Sequence, residues 1–170
     1  MVGLMTSVPM HLEFIRKRKK ANDQDYAQVV RLVKHWCELR KQEDSDFRFK
    51  SFMVELILAH LADRGTNLSD YPEALASFFN QIVVDQFKTT IAFSDFYDPR
   101  TCKATTDQIR IWDPVNCENN VAKLYTVQNK AKVVAAALDA GDAIDSALRA
   151  VTKGDTVRYW QKVFGPTFTA

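Results

Sequence analysis

The sequence predicts an all-α fold, a compact bundle of about six or seven helices. Apolar residues recur at intervals of three and four along residues 26–37, as they do on the buried face of a helix. Residues 52–62 are apolar nearly all the way round, which is typical of a helix in the middle of a small domain. Four of the five glycines fall just past the ends of predicted helices, and proline is kept out of helix interiors, which fits a helical bundle throughout.

Length and composition indicate an ordinary globular domain. A chain of 170 residues with 46% hydrophobic and 26% charged residues is expected to form one domain, 1–170. The three cysteines form no CxxC pair, which favours a reducing, cytoplasmic setting. No apolar run approaches the roughly 20 residues of a membrane span, and residues 1–10 lack the features of a secretory signal. A net charge of +2 identifies no partner.

The first helix is predicted to begin at Thr6 and Ser7, with Pro9 in its first turn, and to end at about Lys20. Its end carries the basic run Arg16 to Lys20, where cations suit the negative end of the helix dipole. This run forms either a solvated helix end or a patch for phosphate or nucleic acid. Because no aromatic residue is interleaved with these charges, we favour the solvated end and expect no nucleic-acid partner.

Asn22 and Asp23 are predicted to cap the second helix, which ends in a polar connector over residues 41–46. The connector contains Asp44-Ser45-Asp46, a carboxylate pair with the spacing used for divalent metals in phosphoryl transfer. Such carboxylates need a rigid support, and the polar neighbours here indicate a loop, so a solvated pair is favoured. The third helix is predicted from about Phe47 to Arg64, before Gly65.

The second half of the chain begins with a fourth helix, which Ser69 and Asp70 are predicted to start. The helical pattern then breaks over residues 89–120. Two β-favouring runs, 89–93 and 108–112, either pair as a minor hairpin or remain extended, and residues 113–116 are predicted to form a turn.

Three more helices are predicted towards the end of the chain. Asn119 or Asn120 is expected to cap the first of them, which runs to about Ala140 before Gly141. The other two are short and cover residues 142–153 and 155–164, with Gly154 and Gly165 behind them.

Spacing reveals no standard metal site and no glycine-rich phosphate loop. His11, His35 and His60 lie far apart in the sequence, and four of the five glycines are needed as helix stops. Cys37 falls on the apolar face of its helix, so it is interpreted as a buried, inert thiol.

The second and third helices carry the polar residues that invite a functional interpretation. If these helices pack antiparallel, Lys34 and Ser51 meet at one surface, where a helix N-terminus favours a phosphate and Phe52 is free to stack on a nucleobase. The alternative makes Ser51 a cap, Phe52 a core residue and Lys34 an ion-pair partner of Glu38 or Glu55. Spacing alone favours the alternative.

Several ordered motifs resemble a known family. They are Arg31–Trp36, Ser51–Leu56 and Ile111–Asn116 followed by Asn119 and Asn120. Together they resemble the C-terminal helical lobe of oligoadenylate-synthetase-like nucleotidyltransferases, a lobe of the poly(A)-polymerase substrate-binding type. That group includes cyclic GMP-AMP synthase and the bacterial oligonucleotide cyclases of anti-phage signalling (CBASS). The bacterial members are the closer match, because Thr6–His11 and Trp160–Phe168 also look like that branch.

The resemblance implies a two-lobed enzyme that joins nucleoside triphosphates into cyclic or linear oligonucleotide messengers with two magnesium ions. By position, Lys34 and Ser51 would contact the donor triphosphate. Phe52, where relatives often have tyrosine, would stack on the base, keeping the stacking face and losing a hydroxyl contact. Three further residues would give structural support: Glu55, Asp113 and Asn119.

The resemblance also implies that the metal-binding acids belong to an N-terminal catalytic lobe, and no acid of this chain takes their place. We therefore expect the chain alone to be catalytically inactive and to hold no metal. Its expected partners are a nucleoside triphosphate and the catalytic lobe, or a protein that covers the same interface. The alternative is a freestanding module that binds a protein or a nucleotide without catalysis, since an exposed apolar interface usually finds a partner.

Overall fold

Six helices and one small antiparallel sheet make up the part of the chain that the structure describes. The structure, a computed structural model, describes the backbone of residues 2–169 and the side chains of residues 8–169. The helices are α1 (Val2–Ala21), α2 (Asp25–Glu43), α3 (Ser51–Asp63), α4 (Tyr71–Asp85), α5 (Val127–Arg149) and α6 (Lys153–Phe164). The strands are β1 (Trp112–Asp113) and β2 (Asn116–Asn120). The predicted helical bundle is confirmed, and the described residues also contain one minor hairpin.

Helix α3 lies at the centre of the bundle and contacts α1, α2 and α4. Most of its side chains are buried, as the apolar sequence predicts. It packs on the buried face of α2, which includes Tyr26, Val33 and Trp36. The Tyr26 hydroxyl donates a hydrogen bond to the Glu55 carbonyl over 2.7 Å, which joins the two helices in the core. Each large apolar side chain buried here stabilises the fold by roughly 1.5–3 kcal/mol.

The N-terminal ends of α1, α2 and α3 differ from the prediction. Helix α1 begins at Val2, so Pro9 lies inside the helix, and the side chains of Thr6 and Ser7 fall outside those that the structure describes. Gln24 occupies the cap position of α2. Helix α3 begins at Ser51, four residues after the predicted start, because the preceding segment is extended and packs Phe47 and Phe49 edge-on against Trp36.

Helix α4 follows the prediction closely. The Asp70 carboxylate caps it by accepting a hydrogen bond from the Glu73 backbone N–H over 3.1 Å. Gly65, behind α3, has a φ of +93°, a conformation that glycine adopts without strain. The end of α3 and the start of α4 therefore lie close to where the sequence predicts them.

The hairpin does not form between the two predicted runs. Residues 89–93 and 108–112 lie side by side in parallel and are joined at a single bridge between Ile91 and Ile111. The hairpin instead pairs β1 with β2 across the turn predicted at residues 113–116. Two side chains shape this turn, because Asp113 and Asn116 each accept a hydrogen bond from the backbone N–H two residues later, over 2.9 and 3.0 Å.

Asn119 and Asn120 do not cap a helix, which corrects a further prediction. Asn119 lies in β2, and the buried Asn120 side chain accepts hydrogen bonds from the N–H groups of Ile111 and Ala122. The cap of α5 is Thr126, which forms a reciprocal capping box with Asn129.

Gly141 and Gly154 do not end helices either. Helix α5 continues through Gly141 to Arg149, so the short helix predicted over residues 142–153 is its C-terminal part. Gly141 packs against Phe79 of α4, and a Cβ atom at this position would lie 3.8 Å from the Cβ of Phe79, an ordinary van der Waals contact. Helix α6 begins at Lys153 and places Gly154 in its first turn, whereas Gly165 follows its end as predicted.

Candidate functional site

Two surface depressions flank the N-terminal end of α3 and meet at Lys50. The first, here called the cationic cleft, lies between α2, the connector before α3 and α3 itself, and has a volume of about 760 Å³. The second, here called the hairpin groove, lies between α1, α3 and the hairpin, and has a volume of about 770 Å³. The cleft is lined by Lys34, Lys41, Arg48, Lys50, Ser51 and Asn129, among others. The groove is lined by Val8, His11, Leu12, Phe52, Glu55, Asp113 and Asn119, among others.

The N-terminal end of α3 lacks the usual capping groups. Lys50 occupies the cap position, no side chain caps the helix, and its first turn contains no acid. Ser51 is exposed in the first helical position, so it is not the cap that one interpretation of the sequence proposed. The first backbone N–H groups of a helix have no partner within the helix and attract anions. This end of α3 therefore presents free donors to the cationic cleft.

Lys34 and Glu55 form an ion pair between α2 and α3. Their Nζ and Oε1 atoms lie 2.8 Å apart, and the two side chains are 35% and 25% exposed. Of the two acids considered for Lys34, Glu55 is thus the one that it contacts. An ammonium group has three donors, so Lys34 retains donor capacity towards the cleft that it lines.

Further cations surround the cleft. The Arg48 guanidinium lies 4.5 Å from the centre of the Tyr125 ring and donates a hydrogen bond to the Leu124 carbonyl. The Lys50 ammonium donates to the Val121 carbonyl over 3.1 Å. Burial, with repulsion from Arg48 and Lys123, lowers the pKa of Lys50. Arg48 and Lys123 close to Lys50 give this region a local excess of positive charge, which suits an anionic ligand.

The hairpin groove contains an aromatic ring held by a polar cluster. His11 packs edge-on against Phe52, with ring centres 5.4 Å apart. His11 Nε2 lies 2.7 Å from Asp113 Oδ1, and the Asn119 amide donates to Asp113 Oδ2 over 3.2 Å. Asp113 is buried and also accepts from the Val115 N–H, so its carboxylate is well satisfied. Asp113 and Asn119 therefore fix the hairpin and His11, and His11 contacts the half-buried Phe52.

The structure brings all six predicted site residues to the two depressions. Lys34 and Ser51 line the cleft, while Phe52, Glu55, Asp113 and Asn119 line the groove. Sequence reasoning did not assign a role to His11, Lys41, Arg48 or Lys50. The signals available for them were the position of His11 in an N-terminal motif and the density of cations on either side of the connector.

The Asp44–Asp46 pair lies beside a lysine, and Cys37 is largely buried. Asp44 and Asp46 lie 2.6 and 3.9 Å from the Lys132 ammonium, and the hydrogen bond from Lys132 lowers the pKa of Asp44. Among the side chains of residues 8–169, no group of three or more His, Cys, Asp or Glu residues is arranged to hold a metal ion. Burial raises the pKa of Cys37 to about 12, which keeps that thiol protonated and unreactive.

The basic run at the end of α1 is not uniformly solvated, which corrects the prediction. Arg18 is 4% exposed, whereas the other four members are exposed. Its guanidinium donates to Asp95 over 2.5 and 2.9 Å and to Asp63 over 2.8 Å, and lies 3.9 Å from the centre of the Phe14 ring. Arg18 therefore ties α1 to α3 and to the segment after α4.

Curated relatives confirm the resemblance read from the sequence. The chain is 53% identical over 165 residues to the cyclic AMP-AMP-AMP synthase of Escherichia coli strain MS 115-1. It is a homologue of the bacterial oligonucleotide cyclases. The CBASS oligonucleotide cyclase CdnC of E. coli strain KTE188 is 28% identical over 163 residues. No protein family model matches the chain.

The chain spans about half the length of these oligonucleotide cyclases. The match to the synthase covers 97% of this chain and 51% of that protein, and the match to the KTE188 cyclase covers 96% and 48%.

Two solved structures of an oligonucleotide cyclase have the same fold over the same share of their length. The E. coli MS115-1 CdnC:HORMA-deltaN complex superposes with a TM-score of 0.93 at 52% identity, over 95% of this chain and 51% of the other. E. coli MS115-1 CdnC with ATP superposes with a TM-score of 0.94 at 52% identity, over 96% and 51%. Within the described part of the chain, no helix is long and apolar enough to cross a membrane.

Proposed function

We propose that the chain is the nucleotide-holding helical lobe of a bacterial oligonucleotide cyclase, a cytoplasmic nucleotidyltransferase of antiviral defence that makes cyclic or linear messengers from nucleoside triphosphates. One observation carries the proposal. The uncapped N-terminal end of α3 lies between a cationic cleft and a groove lined by the half-buried aromatic ring of Phe52. It does so in a chain that is 53% identical to a cyclic AMP-AMP-AMP synthase.

The cationic cleft is proposed to hold the triphosphate. Lys34 supplies a charged donor, and the exposed Ser51 supplies a hydroxyl beside the free N–H groups of the first turn of α3. A charge-assisted hydrogen bond of this kind contributes roughly 1.5–3 kcal/mol. The other cations that line the cleft attract a polyanion through their charge and need no specific contact with it.

The hairpin groove is proposed to hold the base. Phe52 follows Ser51 directly, so a nucleotide whose phosphates lie at the helix end reaches the ring with its base. Stacking on an aromatic side chain contributes roughly 1–3 kcal/mol per base. The polar cluster of His11, Asp113 and Asn119 supports this ring from the side, where His11 meets it edge-on.

Magnesium is proposed to be held by another part of the enzyme, since the acids near this site do not fit a magnesium centre. Glu55 is paired with Lys34, Asp44 with Lys132, and Asp113 accepts hydrogen bonds from Asn119 and from the Val115 backbone. Metal ligands have to be rigidly grouped and available, and these are separate and engaged. We therefore expect the chain by itself to bind a nucleotide without joining nucleotides.

A fusion experiment tests the proposal. The half of the E. coli synthase that this chain does not match is joined to the chain, and products from ATP and magnesium are measured by mass spectrometry. We expect an oligoadenylate product, no product from the chain alone, and a roughly 10–100-fold lower kcat/KM for Lys34→Ala in the fusion. The matched control is Lys153→Ala, an exposed lysine on α6 that lines neither depression. Equal kcat/KM values for the two variants would contradict the assignment of Lys34.

The second candidate is a freestanding interaction module. The observation that favours it is an apolar edge of the hairpin groove, where Val8 and Leu12 of α1 are 51% and 49% exposed. One of the structural relatives is a complex of CdnC with a HORMA protein, which supports a protein partner. A chain that remains a well-behaved monomer in light scattering argues against this candidate.

A further inference from the structure

Two cysteine thiols meet outside the proposed nucleotide site. Cys102 follows a short 3-10 turn at Pro99–Thr101, and Cys117 lies in β2. The Thr101 hydroxyl oxygen lies 3.7 Å from the Cys117 sulfur. Cys102 follows Thr101 directly, and its thiol is close enough to Cys117 for that neighbour to raise its pKa. Both thiols are free and half-buried. This is a dithiol, and the nucleotide site uses neither member.

The dithiol lies beside the residues that fix the hairpin. The Tyr97 hydroxyl contacts Cys102 and donates a hydrogen bond to the Asp113 carbonyl over 2.5 Å. Cys117 and Asn119 lie on the same face of β2, since alternate residues of a strand point the same way. Asn119 in turn donates to the Asp113 carboxylate. A bond between the two sulfurs would therefore join the 3-10 turn to β2, the strand whose Asn119 contacts Asp113.

We propose that Cys102 and Cys117 form a redox modification site, which closes to an intramolecular disulfide when the protein meets a hydroperoxide. One thiolate attacks the peroxide, whose O–O bond breaks, giving a sulfenic acid and, from hydrogen peroxide, hydroxide. The second thiol then attacks the sulfenic sulfur, the S–S bond forms, and water leaves. Both sulfurs are oxidised together by two electrons, and the peroxide is reduced.

The disulfide would stabilise the chain, and it is expected to form slowly. It links the ends of residues 103–116, a segment that contains β1 and its turn, and so restricts the unfolded chain. The closure is expected to be slow, because burial and the contact with Cys117 raise the pKa of Cys102 to about 11, which leaves little of its thiolate at neutral pH. The proposal does not depend on nucleotide binding.

The test is performed on the unmodified 170-residue chain. After treatment with hydrogen peroxide and alkylation of the remaining thiols, peptide mapping should find one disulfide, between Cys102 and Cys117, with Cys37 alkylated. Thermal unfolding of the oxidised chain should occur about 5–10 °C above that of the reduced chain. Dithiothreitol should reverse both changes.

Three variants separate this site from general thiol oxidation. Cys37→Ser should still form the disulfide, whereas Cys102→Ser and Cys117→Ser should gain no thermal stability with peroxide and should carry a sulfenic acid that a dimedone probe labels. A wild-type chain whose three thiols all remain alkylatable after peroxide treatment would overturn the proposal. So would a disulfide that involves Cys37 or a second chain.

Discussion

Arg18 and Lys34 are both cations paired with acids, but their surroundings differ. Arg18 is buried, stacks on Phe14 and shares its donors between Asp95 and Asp63. Lys34 has a single acidic partner, and its side chain is 35% exposed at the edge of the cationic cleft. A cation whose donors are mostly occupied inside the protein contributes to folding. A cation with free donors beside an uncapped helix end is suited to hold a ligand.

The sharpest test of this difference is removal of Arg18. Arg18→Leu leaves Asp95, whose side chain is 10% exposed, without its main partner, and breaking a buried ion pair in this way costs roughly 3–5 kcal/mol of unfolding free energy. Urea denaturation followed by circular dichroism measures the change. Lys17→Ala is the matched control, since Lys17 contacts the same Asp95 from an exposed position, 3.4 Å away. Similar losses of unfolding free energy for the two variants would show that the buried ion pair of Arg18 stabilises the fold no more than the exposed contact of Lys17.

Removal of Lys34 should produce the opposite pattern. We expect Lys34→Ala to weaken ATP binding by the roughly 10–100-fold that one charge-assisted phosphate contact represents. The unfolding free energy should change by less than about 1 kcal/mol, because the pair with Glu55 is partly exposed to solvent. Titration calorimetry with ATP, alongside Lys153→Ala, checks this. A large stability loss with unchanged ATP affinity would make Lys34 a structural residue like Arg18.

The Arg18 cluster should also give the chain an acid-sensitive element. Burial by itself would raise the pKa of Asp95, but hydrogen bonds and the charge of Arg18 outweigh it and hold the pKa below its ordinary value. A carboxylate with a lowered folded-state pKa stabilises fully above its unfolded pKa of about 3.9, and this contribution is lost as the pH falls through the lower folded value. Asp95→Asn should flatten the fall in stability below about pH 4, measured by urea denaturation at several pH values. An unchanged pH profile would contradict this origin.

Glu55→Gln should have the smallest effect. It keeps the size of the side chain and releases the Lys34 ammonium from its acidic partner. If Lys34 binds phosphate, ATP affinity should stay the same or rise by less than about tenfold. If the pair itself holds the site together, Glu55→Gln should weaken ATP binding as much as Lys34→Ala does, and calorimetry separates the two results.

Local sequence signals predicted most of the fold. The periodicity of α2, the apolar α3 and the Asp70 cap of α4 all follow from residues close in the chain. The wrong predictions concern residues whose structure depends on contacts with residues far away in the sequence. Arg18 appeared solvated because its partners lie 45 and 77 positions away, and Gly141 appeared to end a helix because its packing against Phe79 is a tertiary contact.

The candidate site was predicted in part for the same reason. Lys34 and Ser51 lie on consecutive helices, so antiparallel packing was enough to bring them to one cleft. The contact between His11 and Asp113 joins residues 102 positions apart, and no local pattern predicts it. Nor did spacing indicate that Lys50, at the cap position of α3, lines both depressions.

The central claim is that the free end of α3 receives the phosphates of a nucleotide, and amide NMR of the labelled chain tests it most directly. During titration with ATP, the backbone N–H signals of residues 51–53 should shift most, while those of Tyr71 and Glu73, at the capped start of α4, should not. Adenosine should shift signals around Phe52 and leave Ser51 little changed. Shifts that are absent with millimolar ATP, or that cluster away from α3, would contradict the account.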